Sequence, residues 1–261
     1  MTRTVFLAWQ DPRSRRWFPV GRLRSNGKRF VFVYTQGAVV AQVQSGFRPL
    51  AAFPDLNCIY QSDQLFPLFA NRLMRSSRPD FAEFVEWLGL AESEIDPLII
   101  LGRSGGHRVT DSLEVFPLPE RADGNFEAHF LVHGLSHMPP SSLERVERLE
   151  TGETLYLLWD FQNPYDPEAL ALRTSESSPG DMFLVGYCPR YLGGELLKLT
   201  RASSGIKPYV TVAKVNRAPA PSQVRLLCHL SVEWPAGFEM FAGSEYQPLV
   251  KTKSRAMPLI A

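Results

Sequence analysis

The 261-residue sequence lacks any apolar run long enough to cross a membrane. Its longest apolar stretches, such as residues 30–34 and 155–159, have the length of β-strands, whereas a transmembrane helix needs about 20 apolar residues. The N-terminal apolar segment is also too short for a signal peptide. We therefore expect a protein without membrane partners that resides in the cytoplasm.

Cysteine is scarce and forms no pattern. The three cysteines, Cys58, Cys188 and Cys228, are widely spaced and contain no Cys-x-x-Cys pair. An odd, scattered set predicts neither a disulfide framework nor a zinc site built from cysteine. This composition is typical of a reducing compartment.

Three histidines could suggest a metal site because His129, His133 and His137 recur every four residues. The segment that contains them reads as a strand, and Phe126 and Phe130 lie at its core-facing alternate positions. The histidines then occupy the polar face of the strand. We expect no metal ion and no other cofactor.

Motifs of catalysis are also missing. The sequence has no Gly-x-Ser-x-Gly, no His-Glu-x-x-His and no kinase catalytic loop. The glycine-rich segment 102–106 lacks the Lys-Ser/Thr step of a phosphate-binding loop. We predict that this chain is not an enzyme.

Charge is balanced overall but unevenly distributed. The 28 Lys and Arg residues oppose 27 Asp and Glu residues, a net charge of +1 that does not by itself indicate a nucleic-acid partner. Residues 1–29 carry eight bases and one acid, and residues 80–96 carry six acids and no base. Residues 181–230 carry seven bases and two acids, which predicts a local basic surface in the second half.

The pattern of elements divides the chain into two domains of similar size. Residues 1–120 read as α+β, with a hairpin turn at Asn26-Gly27, a helix capped by Asp80 and a strand at Pro97–Leu101. The segment 117–125 is the best linker, and residues 124–235 are rich in strands. Residues 236–261 read as an irregular tail that ends in a basic cluster. This cluster consists of Lys251, Lys253 and Arg255.

The most specific string of the chain spans residues 160–172, DFQNPYDPEALAL. Its Asn163-Pro164 and Asp166-Pro167 pairs predict a rigid loop between two strands. Such a loop could present Tyr165 for stacking on a base and Asp166 as an acceptor for a hydroxyl group. Alternatively, the loop is a structural turn whose Tyr and Asp bond the neighbouring backbone.

Three motifs in order extend this string. They are Val132-His133-Gly134, then Asn163-Pro-Tyr-Asp166 leading into Ala169–Leu172, then Gly186-Tyr187 followed by Arg190. With this order and spacing, residues 124–235 resemble the HIRAN domain. The resemblance implies a modified OB-type barrel, and in eukaryotic fork-remodelling helicases such domains hold the 3′-hydroxyl end of single-stranded DNA.

The resemblance also implies a set of DNA-binding residues. Tyr165 becomes a stacking platform and Asp166 an acceptor for the 3′-hydroxyl, on the loop that begins at Asn163. Tyr187 falls where the family has an aromatic residue or a histidine, and Arg190 falls where it has a basic residue. In the family these residues contact a nucleobase and a phosphate. The helicase version has an Arg-Tyr pair after its first glycine, and the corresponding positions here are Ser136 and His137.

The first half has a second resemblance. Its segments 20–23, 30–34, 48–54 and 66–73 follow the order of the GxL, FxY, PLS-x-x-x-P and FFDNLLP elements of the N-terminal subdomain of HipA-type toxin kinases. The resemblance implies a HipA-type kinase as partner, because the catalytic parts of such a kinase are missing from this sequence. Large aromatic residues would then supply the partner surface. They are Phe53, Phe66, Phe69, Phe81, Phe84 and Trp87.

Together these observations predict a non-enzymatic, bacterial or phage-type protein that binds single-stranded or end-containing DNA. Two alternatives stay open. One is an antitoxin or regulatory subunit of a HipA-type toxin–antitoxin system, and the other is an accessory subunit of a DNA-processing nuclease or helicase.

Overall fold

The computed structural model describes residues 3–122, 124–174, 180–202, 205–250 and 256–258. In chain order, its strands are β1 (Arg3–Gln10), β2 (Trp17–Ser25), β3 (Phe30–Tyr34), β4 (Ile59–Ser62), β5 (Leu113–Pro117), β6 (Glu120–Ala122), β7 (Asn125–Leu131), β8 (Thr154–Trp159), β9 (Leu170–Arg173), β10 (Leu184–Tyr187), β11 (Tyr209–Val215), β12 (Leu226–Glu233) and β13 (Ala256–Pro258). The helices are α1 (Gln36–Ser45), α2 (Pro67–Ala70), α3 (Phe81–Trp87), α4 (Pro97–Ser104), α5 (Pro140–Glu147) and α6 (Arg190–Ala202). The predicted basic cluster of Lys251, Lys253 and Arg255 lies outside the described residues.

The chain forms two compact units. The first contains Met1–Phe81, Glu94–Leu118 and Phe241–Ala261, and the second contains Ala82–Ser93 and Pro119–Met240. Within the described ranges, no helix combines the length and apolar character that a membrane crossing requires.

The first unit is built on one sheet. Its strand order is β13-β4-β3-β2-β1-β5, antiparallel except for the β13–β4 pair. The predicted hairpin turn joins β2 to β3, where Gly27 has a φ of 85°. Asn26 Oδ1 accepts hydrogen bonds from the backbone N–H groups of Lys28 and Arg29, at 3.0 and 2.9 Å. The Asn-Gly pair forms the turn because both residues tolerate the backbone angles it requires.

Aromatic residues fill the core of the first unit. Phe53, Phe66 and Phe69 are at most 2% exposed, and the rings of Phe32 and Phe53 stack with centroids 4.1 Å apart. The Tyr34 hydroxyl is buried among them, where it donates to Phe53 O at 2.7 Å. Three of the aromatic residues that were expected to supply a partner surface are therefore buried in this core and cannot contact a partner.

The prediction of a strand at Pro97–Leu101 is wrong, because this segment begins helix α4. The Asp96 carboxylate accepts hydrogen bonds from the backbone N–H groups of Leu98 and Ile99, and Pro97 occupies the first turn. Both features favour a helix start, since an Asp cap satisfies free N–H groups and proline has no N–H to lose. A short apolar run alone does not distinguish a strand from a buried helix.

The segment after residue 240 packs into the first unit. Phe241 and Tyr246 lie on the ring of Phe6, with centroids 5.6 and 5.4 Å away. Leu249 N donates to Tyr34 O at 2.8 Å, and Gln36 N donates to Gln247 O at 2.9 Å. Residues 241–250 contain one short 3-10 helix, Ser244–Tyr246, and are fixed by these backbone and ring contacts.

The second unit is a curled antiparallel sheet. Its strand order is β10-β9-β8-β11-β12-β7-β6. Although β10 lies at one edge, Tyr187 at its end pairs with His133, two residues beyond the end of β7. The sheet thus curls back on itself, as a barrel-like domain requires. One face, with Leu155, Val210 and Leu230, is buried inside the curl.

Helix α3 groups with this second unit although it precedes the strands in sequence. Asn216 Nδ2 donates to Trp87 O at 2.8 Å, and the Lys214 ammonium pairs with the Glu86 carboxylate at 2.9 Å. Gly89 ends the helix with a φ of 64°. A Cβ at Gly89 would lie 2.6 Å from Leu227. These contacts join residues 82–93 to β11 and β12.

Candidate nucleic-acid interface

Two of the sequence motifs meet at the closure of the curled sheet. The backbones of His133 and Tyr187 exchange two hydrogen bonds of 2.9 Å. Gly186 has a φ of 130°, and a Cβ there would lie 2.4 Å from Val132 Cγ1. A Cβ on Gly134 would lie 3.3 Å from the Tyr187 ring. The glycines are required because the two strand ends approach too closely for side chains.

The loop between β8 and β9 is held by its own polar side chains. Asn163 Oδ1 accepts hydrogen bonds from the backbone N–H groups of Tyr165 and Asp166, at 3.0 and 3.1 Å. Asn163 Nδ2 donates to Asp160 Oδ2 at 3.1 Å. The backbone N–H of Ala169 donates to Asp166 O at 3.1 Å and closes the loop. The loop is therefore a preformed turn, as the two X-Pro pairs predict.

Asp160 links this loop to the closure of the sheet. Its Oδ2 accepts a hydrogen bond of 3.0 Å from the Tyr187 hydroxyl in addition to the bond from Asn163. The pKa of Tyr187 is raised, first by burial and then by the hydrogen bond to Asp160. Tyr187 thus keeps its hydroxyl proton, and its hydrogen bond to Asp160 holds the first residue of the loop in place.

Asp166 and Arg190 form an ion pair, with Arg190 Nε 2.9 Å from Asp166 Oδ2. Arg190 also donates from Nη2 to Tyr165 O at 3.0 Å. The other oxygen of Asp166, Oδ1, accepts from the Glu168 N–H at 3.0 Å. These contacts fix the backbone on both sides of Tyr165.

Two glycines allow helix α6 to lie against the end of the loop. A Cβ on Gly193 would lie 2.7 Å from Glu168 O, and one on Gly194 would lie 2.6 Å from Glu168 Oε2. A side chain at Gly193 would therefore displace the helix or the loop, whereas one at Gly194 would displace the Glu168 carboxylate. The helix begins at Arg190, so this approach positions the Arg190 side chain next to Asp166.

Two aromatic side chains extend from the loop into solvent. Tyr165 is 71% exposed, and Phe161 is 75% exposed. Exposed rings on a fixed backbone can stack on nucleobases with little loss of conformational freedom.

A family model for the HIRAN domain matches residues 125–235. We call residues 125–235 the HIRAN domain after this match. The match covers six of the seven strands of this sheet, β7 to β12, and ends two residues after β12. The resemblance of residues 1–120 to HipA-type kinases lies outside this match and gains no support from it.

Two solved structures are similar to the HIRAN domain region. One is the crystal structure of a protein from Lactobacillus plantarum, 18% identical, covering 42% of this chain and 100% of that chain with a TM-score of 0.31. The other is the crystal structure of the HIRAN domain of human HLTF, 19% identical, covering 42% of this chain and 74% of that chain with a TM-score of 0.29. No curated protein matches the chain.

The HIRAN domain brings five of the seven predicted site residues into one bonded group. Hydrogen bonds and the ion pair join Asn163, Tyr165 and Asp166 to Arg190 on one side and, through Asp160, to Tyr187 on the other. Asp160 was not predicted as a site residue. Its place three residues before Asn163 is the available signal, because Asp side chains bond nearby backbone and amide groups in turns.

Among the described residues, the side chains of Ser136 and His137 make no hydrogen bond to that group. They belong to a short 3-10 helix, Leu135–His137, and both side chains are exposed. The backbone N–H of His137 donates to Gly134 O at 2.9 Å. Both residues follow the glycine that faces Tyr187, so they flank the closure of the sheet.

Acidic residues neutralise much of the basic surface that was expected from residues 181–230. Lys214 pairs with Glu86, Lys198 with Glu195, and Arg225 with Glu147. Net charge along the sequence therefore overstated the cationic surface, because Glu86 and Glu147 are distant in sequence from the bases they pair with and Glu195 lies one helical turn from Lys198. Lys207 and Arg201 are exposed.

The histidine spacing does not create a metal site. Within the described residues, His129, His133 and His137 do not bring their ligand atoms together. The His129 ring instead lies 4.6 Å from the ring of His229, its partner across the β7–β12 pair. The prediction that these side chains lie on the polar face holds for His129, which is exposed while Phe130 is buried.

Proposed function

We propose that the HIRAN domain binds single-stranded DNA, or the single-stranded 3′ end of a DNA molecule, at the loop of residues 160–166, and that the chain acts without catalysis. The observation that carries this proposal is the Tyr165 ring, 71% exposed on a loop whose backbone is held on both sides. Stacking of one base on such a ring contributes about 1–3 kcal/mol.

The chemistry beside Tyr165 suits the sugar at a strand end. Asp166 presents a carboxylate whose side chain is 15% exposed, and each of its oxygens accepts one hydrogen bond from within the domain. A carboxylate offers about four acceptor positions, so a sugar hydroxyl can still donate to it. The Arg190 guanidinium beside it moderates the negative charge that would otherwise repel phosphate.

Binding by the full chain tests this proposal. Fluorescence anisotropy should show that labelled oligonucleotides of about 4–16 nucleotides bind more tightly as single strands than as blunt duplexes, and less tightly as salt increases. A 3′-phosphate should weaken binding relative to a 3′-hydroxyl if Asp166 accepts from the terminal sugar. Absence of binding at low salt would overturn the proposal.

Tyr165→Ala is the informative variant, and Tyr165→Phe is its matched control. The Ala variant should bind about 5- to 150-fold more weakly, equivalent to 1–3 kcal/mol, whereas the Phe variant retains the ring and should bind like the wild type. Because the side chain is exposed, neither change should alter thermal unfolding.

The antitoxin alternative gains no support from the first unit. Phe53, Phe66 and Phe69 lie in its core and so present no partner surface. The acidic segment 80–96 is also partly engaged within the chain, since Asp80 pairs with Arg78 and Asp96 caps helix α4. The accessory-subunit alternative is compatible with DNA binding, because such a subunit would deliver DNA to a separate enzyme.

A further inference from the structure

A second aromatic surface of the HIRAN domain lies on the outward side of its sheet. Side chains of β8 alternate between core and solvent: Leu155 is 2% exposed, whereas Tyr156 and Leu158 are 44% and 42% exposed. On β11, Tyr209 is 63% exposed and its neighbour Val210 is buried. We call Tyr156, Leu158, Tyr209 and Thr211 the Tyr156 face.

The register of the strands makes this surface continuous. Val210 pairs with Leu155 and Thr211 pairs with Thr154, so the same antiparallel register places Tyr209 beside Tyr156. Directly opposed residues of an antiparallel pair share one side of the sheet, with Cβ atoms about 4.5–5.5 Å apart. The two exposed tyrosines are therefore neighbours on one side.

The Tyr156 face lies on the same side of the sheet as the loop site. Leu158 pairs with Ala171, and Ala171 pairs with Tyr187 of β10. Paired residues point to the same side, as do residues two apart along a strand. Tyr156, Leu158, Asp160 and Tyr187 thus follow one side of the sheet without crossing it. Four residues of strand span about 13 Å, close to the length of four stacked nucleotides.

Cationic groups border the Tyr156 face. The Arg173 guanidinium lies over the Tyr156 ring, with Cζ 4.9 Å from the centroid. Lys207 is exposed and precedes Tyr209 by two residues. Two acids near this end, Glu153 and Asp181, are both paired with Arg145. The single Arg145 guanidinium therefore offsets one of their two negative charges.

These features match the chemistry of a single nucleic-acid strand. Exposed tyrosine faces stack on any base, and a guanidinium plane stacks on aromatic rings and binds phosphate. We propose that the Tyr156 face continues the DNA path that begins at the Tyr165 loop: Tyr156 and Tyr209 stack on bases internal to the strand, and Arg173 contacts its phosphates. This inference rests on the proposed function and adds the direction and length of the bound strand.

Oligonucleotide length separates this inference from the proposed function. The full-chain double variant Tyr156→Ala, Tyr209→Ala should bind a strand of about ten nucleotides about 5- to 150-fold more weakly. It should bind a trinucleotide with a free 3′-hydroxyl as the wild type does. Tyr165→Ala should weaken both ligands. The control variant Tyr156→Phe, Tyr209→Phe keeps both rings and should bind both ligands normally.

Two results would overturn the inference. If the double Ala variant binds the longer strand like the wild type while Tyr165→Ala does not, the Tyr156 face is not part of the path and the proposed function stands. If the wild-type chain binds neither ligand, the proposed function fails and this inference fails with it. Thermal unfolding of each variant checks that loss of binding is not loss of folding.

Discussion

Arg190 Nε donates to Asp166 Oδ2 across 2.9 Å, so two residues expected to bind different parts of a DNA end are bonded to each other. The pair joins the first residue of helix α6 to the loop that carries Tyr165. DNA that reaches this site meets a paired carboxylate and guanidinium. The roles of the two residues are therefore coupled: each positions the other, and together they hold the backbone of Tyr165.

A double-mutant cycle should detect this coupling. Asp166→Asn and Arg190→Gln each leave a polar side chain but remove one charge of a pair whose side chains are 15% and 27% exposed. We expect a coupling energy of about 0.5–2 kcal/mol in the free energy of unfolding, because the pair is only partly screened by solvent. Urea unfolding of the four proteins measures it. Additive effects would mean that the pair does not stabilise the loop.

Asn163 should be more important for the loop than its exposed neighbours. Asn163→Ala removes the acceptor for two backbone N–H groups and the donor to Asp160, and should cost about 1–2 kcal/mol of stability. Asn163→Ser keeps an uncharged acceptor that can form the same kind of turn but is too short to reach Asp160, so it should cost less. Equal losses in urea unfolding would show that the bond to Asp160 is the important one.

Local patterns predicted much of the HIRAN domain. The sequence predicted that residues 124–235 are rich in strands, as the structure shows, and the two X-Pro pairs predicted the loop. Both signals are local, since they depend on side-chain alternation and on backbone angles. The start of helix α4 is also locally encoded by Asp96-Pro97, although the apolar run that follows has the length of a strand.

Contacts between distant residues could not be predicted in the same way. Asp166 and Arg190 are 24 residues apart, and their charges are equally consistent with two separate DNA contacts. The exposure of Tyr156 and Tyr209 follows from the alternation of side chains along β8 and β11. Their proximity does not, because it depends on the pairing of β11 with β8, and β9 and β10 lie between these strands in sequence. Pairing order is a property of the whole sheet, which spacing along the chain does not reveal.

Gly186 should tolerate no side chain. At a φ of 130°, an added Cβ would be 2.4 Å from Val132 Cγ1 and 2.7 Å from His133 O. Gly186→Ala should therefore destabilise the domain by about 2–4 kcal/mol, from backbone strain together with overpacking.

The matched control is Gly152→Ala. Gly152 also has a positive φ, of 88°, but an added Cβ would have nothing within 4 Å. Only the backbone strain of about 1 kcal/mol should remain there. Urea unfolding should therefore separate the two variants, and equal destabilisation would contradict the close approach of the strand ends at the closure.

Asp181 should make the HIRAN domain more stable at neutral than at acidic pH. Its pKa is lowered, chiefly by the hydrogen bond from Arg145, whose Nε lies 2.7 Å from Asp181 Oδ1. A carboxyl group whose pKa is lower in the folded state stabilises that state above its unfolded pKa, 3.8, and loses this contribution as pH falls through the folded pKa. Asp181→Asn removes the titrating group. We expect the wild type to exceed the variant in unfolding free energy at pH 6, and the difference to shrink steadily below pH about 4. A difference that stays constant down to acid denaturation would show that Arg145 does not hold Asp181 in its charged form.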